Sequence, residues 1–189
     1  MARDAADTRK RLLEAATEEF ATYGIAGARV DRVAAKAGAN KSLIYTYFGN
    51  KEALFDSVFE ALVLSALEAV PLDPDDLPGY AAKMFDRYLA KPEILRLATW
   101  YQLERAHLEA EPKAVTEANA VKVRRIREAQ RAGRISDRIP AQELIAVVGT
   151  LAMLSAIAYP GTSTDLSRAE LRRRRDAVIT AVTRIVSVD

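Results

Sequence analysis

Cysteine is absent from the 189 residues, and histidine occurs once, as His107. The first absence excludes a disulfide framework, Cys-ligated zinc or iron–sulfur centres and a cysteine nucleophile. The second excludes multi-histidine metal sites and leaves little for a histidine-based triad. No metal, no cofactor and no enzymatic activity are therefore expected. A surplus of one charge sign is lacking too: 28 Lys+Arg stand against 26 Asp+Glu, a formal net of +2. A local basic patch remains possible, because opposite charges cancel in a total. Alternating strand patterns are missing, as are fixed-period repeats and low-complexity tracts. The longest uncharged stretch, Leu144 to Thr164, is cut by Pro160-Gly161, which leaves less than the ~20 residues of a membrane-spanning helix. Met1 to Asp7 carry no apolar run of a secretory signal. A soluble, cytoplasmic protein is expected.

Half of the residues are hydrophobic and 29% are charged, enough for a buried core and against wholesale disorder. The periodicity is helical almost everywhere, which predicts an all-α fold of about nine helices. A first helix is expected from about Thr8 to Tyr23, with Leu13, Ala16 and Phe20 on one face and Gly24 as its C-cap. Val30, Val33, Ala34 and Ala37 recur at i, i+3, i+4, i+7, and Gly38 ends that second helix. Asn40 caps a third through Phe48, and Asn50 a fourth, Lys51 to about Val70. Prolines and aspartates make 70–79 a loop. Five more helices are expected at about Leu77–Ala90, Pro92–Leu108, Glu111–Ala132, Ala141–Tyr159 and Arg168–Val186. The last opens on a capping box, Ser167-Arg168-Ala169-Glu170.

The most specific signal is 29–51. Two short helices meet at Ala37-Gly38-Ala39-Asn40, where the glycine supplies a left-handed turn and Ala34 and Ala37 allow close crossing. This is the pattern of a helix-turn-helix, whose second helix enters the DNA major groove. On that helix Ile44 and Phe48 point inward, and Lys41, Ser42, Tyr45 and Thr46 lie towards the other side. A lysine suits guanine O6 and N7, a serine several base edges, and Leu43 and Tyr45 thymine methyls. Tyr47 offers a hydroxyl to a phosphate. Lys51 adds a cation at a helix N-terminus, which also suits a phosphate. Charge and position add Arg29 and Arg32. Residues 1–51 hold nine Lys+Arg and six acids, +3, whereas the remainder holds 19 and 20, −1.

The run Arg11-Leu12-Leu13, Ala15-Ala16, Phe20, Gly24, then Val30-x-x-Val33-Ala34-x-x-Ala37-Gly38-Ala39-Asn40, Ile44-Tyr45-x-Tyr47-Phe48 and Lys51-Glu52-x-Leu54 resembles the DNA-binding domain of the TetR (AcrR-like) transcriptional regulators. Ala28 and Arg29 stand where that family often has a capping Thr or Ser, and Ser42 and Leu43 where it often has Gly and Thr. The resemblance implies base contacts near Lys41, Ser42, Leu43 and Tyr45, and phosphate contacts at Thr46, Tyr47 and Lys51. It also implies a homodimer, often a repressor, released from operator DNA by a small-molecule effector. The domain division expected is 1–51 for DNA binding, 51–70 as a connecting helix, and 71–189 for effector binding and dimerisation. The connecting helix is the natural lever between effector and operator.

The uncharged helix Leu144–Tyr159 must be buried on all sides. With the apolar stripe of the last helix it predicts an intermolecular four-helix bundle, whose interface comprises Leu144, Val148, Leu151, Ala152, Ser155, Val178, Val182 and Ile185. Arg172 to Arg175 splay around a helix and read as a solvated face. Trp100, Glu104 and His107 share one face beside the core residue Tyr101. With Tyr88 they form a candidate effector pocket, or alternatively a packed Trp with a partly exposed Glu–His pair. Another class of reading is an all-α enzyme or small-molecule carrier whose helix-turn-helix serves protein interaction. Activation instead of repression also stays open, because the outcome depends on operator position.

Overall fold

A computed structural model describes residues 2–104, 113–156 and 166–188. Among them are nine α-helices and no strand: α1 (Ala2–Gly27), α2 (Val30–Ala37), α3 (Lys41–Phe48), α4 (Lys51–Ala69), α5 (Leu77–Ala90), α6 (Pro92–Glu104), α7 (Lys113–Arg131), α8 (Ala141–Ala156) and α9 (Arg168–Val186). One 3₁₀ turn, Pro74–Asp76, precedes α5. No helix among the described residues is long and apolar enough to cross a membrane.

The caps explain the boundaries. Asn40 Oδ1 accepts from Ser42 N at 2.9 Å and opens α3. Asn50 Oδ1 accepts from Ala53 N at 2.7 Å and opens α4. Ser167 and Glu170 form the reciprocal capping box of α9. Each such cap satisfies donors that would otherwise lack partners, worth about 1 kcal/mol. α1 runs further than expected at both ends. Helical turns continue past Gly24, whose backbone (φ 68, ψ −177) is itself non-helical.

The described residues divide into two compact units, 2–65 with 92–104 and 113–115, and 66–91 with 116–156 and 166–188. In the first unit Leu12, Ala16, Ile44, Leu54, Phe55 and Leu97 are fully buried. Phe55 meets Phe20 edge-on at 5.2 Å, and Tyr101 stacks on Phe59 at 4.0 Å. Each such ring removes about 1.5–3 kcal/mol worth of apolar surface from water. α6 therefore belongs with the N-terminal helices, although the sequence grouped it with 71–189. Its stripe of Leu97 and Tyr101 completes their aromatic core.

In the second unit α5, α8 and α9 pack around Leu77, Phe85, Ile126, Leu144, Val148, Val178 and Val182. Gln130 Nε2 donates to the carbonyls of Ser136 (3.1 Å) and Ile139 (2.7 Å), which fixes the connection from α7 to α8. Arg175 Nε donates to both Asp86 carboxylate oxygens at 2.9 and 3.0 Å and ties α9 to α5. Arg172 and Arg173 are exposed, so the arginine run includes a solvated face and one fixed clasp.

Candidate nucleic-acid interface

The helix-turn-helix is built from small residues and one left-handed glycine. Val33, Ala34 and Ala37 of α2 are buried. Gly38 (φ 60, ψ 39) turns the chain, and Ala39 N donates to Ala34 O at 3.0 Å. Arg11 Nη1 donates to Ala37 O at 3.1 Å, placing a cation from α1 at the negative end of α2. On α3 only Ile44 and Phe48 are buried. Lys41, Ser42, Tyr45 and Thr46 are exposed, while Leu43 and Tyr47 are half-buried against the core. The 100° step between residues thus presents a polar row with one aromatic ring, on a helix anchored from behind.

Several candidate residues already have partners within the chain. Lys41 Nζ lies 2.7 Å from Asp31 Oδ1. Ser42 Oγ donates to Asn40 Oδ1 at 2.8 Å, and Thr46 Oγ1 to Ser42 O at 3.0 Å. Arg32 Nε donates to Glu19 Oε1 at 2.8 Å and its Nη2 to Gly27 O at 3.0 Å, with the guanidinium 4.3 Å over the Tyr23 ring. Arg29 N also donates to Glu19 Oε1 at 2.8 Å. Glu19 is only 8% exposed. Burial pushes its carboxyl up, but the bonds from Arg32 and the Arg29 N–H outweigh that and hold it below the usual value. Here is the cap that Ala28 and Arg29 lack: Glu19 supplies a carboxylate to the start of α2 from α1. Arg32 is thus a structural cation, and Arg29 stays exposed beside Asp31 at 4.0 Å. Lys51 Nζ sits 3.4 Å from Ala26 O and 3.5 Å from Ala28 O, at the end of α1.

Asp31 and Glu19 were invisible as partners in the sequence, since they stand 10 and 13 residues from Lys41 and Arg32. An acid in the first turn of α2 was the only local signal for Asp31.

The proposed effector residues fall in different places. Tyr101 is buried in the aromatic core of the first unit. Trp100 packs where an added Cβ on Gly24 would meet its ring at 3.0 Å. Glu104 accepts from Ile25 N (3.3 Å) and Ala26 N (3.2 Å), capping the last turn of α1. Tyr88 belongs to the second unit, where burial raises its hydroxyl pKa, as it raises that of Tyr80 to about 12. His107 lies outside the described residues.

The proposed dimer residues need a correction. Leu144, Val148, Ala152, Val178 and Val182 are buried in their own chain's core, at no more than 2% exposure, and cannot meet a partner. The stripe that seemed surplus to one chain is consumed by α5. Leu151, Ser155 and Ile185 are half-buried. The face that α8 leaves exposed carries Ala146, Val147, Thr150 and Leu154, and α9 exposes Ala177 and Thr180.

Residues 12–58 match the family described as bacterial regulatory proteins, tetR family, and residues 76–184 match the tetracyclin repressor-like C-terminal domain. The chain is 45% identical over 152 residues to the HTH-type transcriptional repressor SCO4008 of Streptomyces coelicolor, covering 80% of this chain and 79% of that one. Among solved structures, SCO4942 from Streptomyces coelicolor superposes with a TM-score of 0.77 at 37% identity, over 95% of this chain and 98% of that one. The transcriptional regulator FadR from Bacillus subtilis, solved with stearoyl-CoA, shares the fold, with a TM-score of 0.68 at 17% identity over 92% and 96%. The anchored recognition helix, the left-handed turn before it and these two adjoining matches make the chain a member of the tetR family of bacterial regulatory proteins.

Proposed function

We propose that this regulator is a homodimeric repressor that places α3 of each protomer in successive major grooves of a palindromic operator and is released by a small-molecule effector. The observation that carries the reading is the row Lys41, Ser42, Tyr45 and Thr46, exposed on a helix whose opposite side is fully anchored by Ile44 and Phe48. Repressor activity is supported by the relative SCO4008. Effector control is supported by the FadR fold holding an acyl-CoA. Residues 1–51 read DNA, α4 connects, and 71–189 bind the effector and the second copy. The exposed apolar face of α8, Ala146, Val147, Thr150 and Leu154, together with Ala177 and Thr180 of α9, is the surface offered to that copy. Selection of bound duplexes from a random library tests the reading. The expected product is a palindrome whose half-site centres lie about one helical turn, 10–10.5 bp, or a multiple apart. Recovery of no preferred sequence, or of an asymmetric single site, would overturn it.

A further inference from the structure

The basic residues of segment 29–41 are Arg29, Arg32, Lys36 and Lys41, and each faces a carboxylate of the same unit. Arg32 is bonded to Glu19, Lys36 pairs with Glu18, and Lys41 and Arg29 reach Asp31 at 2.7 and 4.0 Å. The pairs differ in what they can do. Glu19 is buried and also holds the Arg29 N–H, so it cannot let go without disturbing the start of α2. The Glu18–Lys36 pair joins α1 to the end of α2 and does not involve α3. The Asp31–Lys41 pair joins the first turn of α2 to the first residue of the recognition helix, with both side chains about half exposed, 55% and 46%. It is close enough to form a true hydrogen-bonded ion pair and open enough to be exchanged.

We propose that Asp31 is a specificity-determining residue for DNA binding: it holds the Lys41 ammonium in place, so that the remaining N–H donors of the lysine serve a base edge and the side chain does not swing to an arbitrary phosphate. The inference rests on the DNA-binding reading above. On random DNA Lys41 trades one anion for another, gains little, and leaves the Asp31 carboxylate facing a polyanion. On the operator the same ammonium, with three N–H donors, keeps one on Asp31 and gives the others to guanine O6 and N7, an acceptor pair in the groove that no phosphate reproduces. Asp31 thus subtracts from the sequence-independent part of the affinity and leaves the sequence-dependent part nearly intact. The hydrogen bond and charge of Lys41 hold the Asp31 carboxyl below its usual value, and Asp31 holds the lysine above its own. Both groups remain charged at neutral pH, so Asp31 and Lys41 meet DNA as an ion pair.

The test is Asp31→Asn in the full chain, titrated by fluorescence anisotropy against the selected operator and against a random-sequence duplex at several salt concentrations. Expected for random DNA are an affinity gain of about tenfold and a log–log salt slope steeper by about 0.9, one further engaged phosphate. Operator affinity changes by less than about threefold, so the specificity ratio falls. Asp31→Glu restores the ratio, and adding Lys41→Ala to Asp31→Asn removes most of the gain, as required of a residue that acts through the lysine. An unaltered salt slope on random DNA overturns the proposal. So does a loss of operator affinity with random-DNA affinity unchanged, which would mean that Asp31 itself accepts from a cytosine N4. A wild-type chain that prefers no sequence overturns the repressor reading instead, and the random-DNA arm still reads Asp31. Circular dichroism melts of the variants separate misfolding from either result.

Discussion

Gly24→Ala is expected to destabilise the first unit more than any other single methyl addition to its turns. Gly24 stands at φ 68, ψ −177, a region that only glycine occupies readily, with a strain of about 1–3 kcal/mol for other residues. The added Cβ would lie 2.9 Å from Glu104 Oε1 and 3.0 Å from two carbons of Trp100. Neither neighbour moves freely: Glu104 is held by two backbone N–H groups, and Trp100 is part of α6, which carries Tyr101 into the core. Overpacking of this kind costs about 1–3 kcal/mol. The stiffer unfolded chain returns about 0.4–1 kcal/mol, so a net loss of about 3 kcal/mol is expected. That corresponds to a fall in melting temperature of about 10 °C for a chain of this length. Gly38→Ala is the control. It shares the positive φ, at 60, but its Cβ would make only ordinary contact, 3.6 Å from Arg11 Nη1, so strain alone applies, about 1 kcal/mol net. The chain has a single tryptophan, and it is the residue in question, so urea unfolding followed by Trp100 fluorescence reports the site directly. Equal losses for the two variants, or a Gly24→Ala midpoint within experimental error of the wild type, would refute the packing argument.

Two further outcomes follow from the same geometry. The folded-state pKa of Glu19 is depressed, so its ion pair stabilises the fold above the unfolded value of about 4.3 and that contribution fades as pH falls through the lower folded value. Glu19→Gln should cost about 1–3 kcal/mol at pH 7, mostly the penalty of stranding Arg32 and the Arg29 N–H, and should flatten the acid limb of the stability curve. An acid limb identical to the wild type would remove Glu19 from the account. Leu154→Arg adds a charge to a position already 57% exposed, so the monomer's melting curve should hardly move. Light scattering should nevertheless show half the wild-type mass, and operator affinity should drop by about 100-fold as two-headed binding is lost. A dimer that survives this change places the interface elsewhere.

The helices were legible because their ends are chemically explicit. Gly38, Asn40, Asn50 and the Ser167–Glu170 box each act within four residues, and the end of α2 and the starts of α3, α4 and α9 fall where those signals put them. The recognition face was legible for the same reason, since Ile44 and Phe48 fix the rotation of an eight-residue helix by themselves. What remained hidden were partnerships across tens of residues. Glu104 reads as a pocket acid beside His107 as long as only α6 is in view. Its use, capping the amides of Ile25 and Ala26 some 79 and 78 residues earlier, needs the crossing of α1 and α6. The inward stripe of α8 and α9 reads as surplus until α5 is known to cover it.

The consequence is a different electrostatic picture of the DNA-reading head. A count of +3 over 1–51 suggests cations waiting for phosphates. The structure shows Arg32, Lys36 and Lys41 engaged by Glu19, Glu18 and Asp31, so the net charge is carried by other residues. Two of those pairs hold the scaffold, one by burial and one along the α1–α2 junction. Of the three, the Asp31 pair stands at the start of α3. Adding cations to this head should therefore raise affinity for all DNA alike, whereas removing Asp31 lowers the ratio of operator to random-DNA affinity. Net charge and specificity are separable here because the acid that limits non-specific binding is on the same motif as the lysine it restrains.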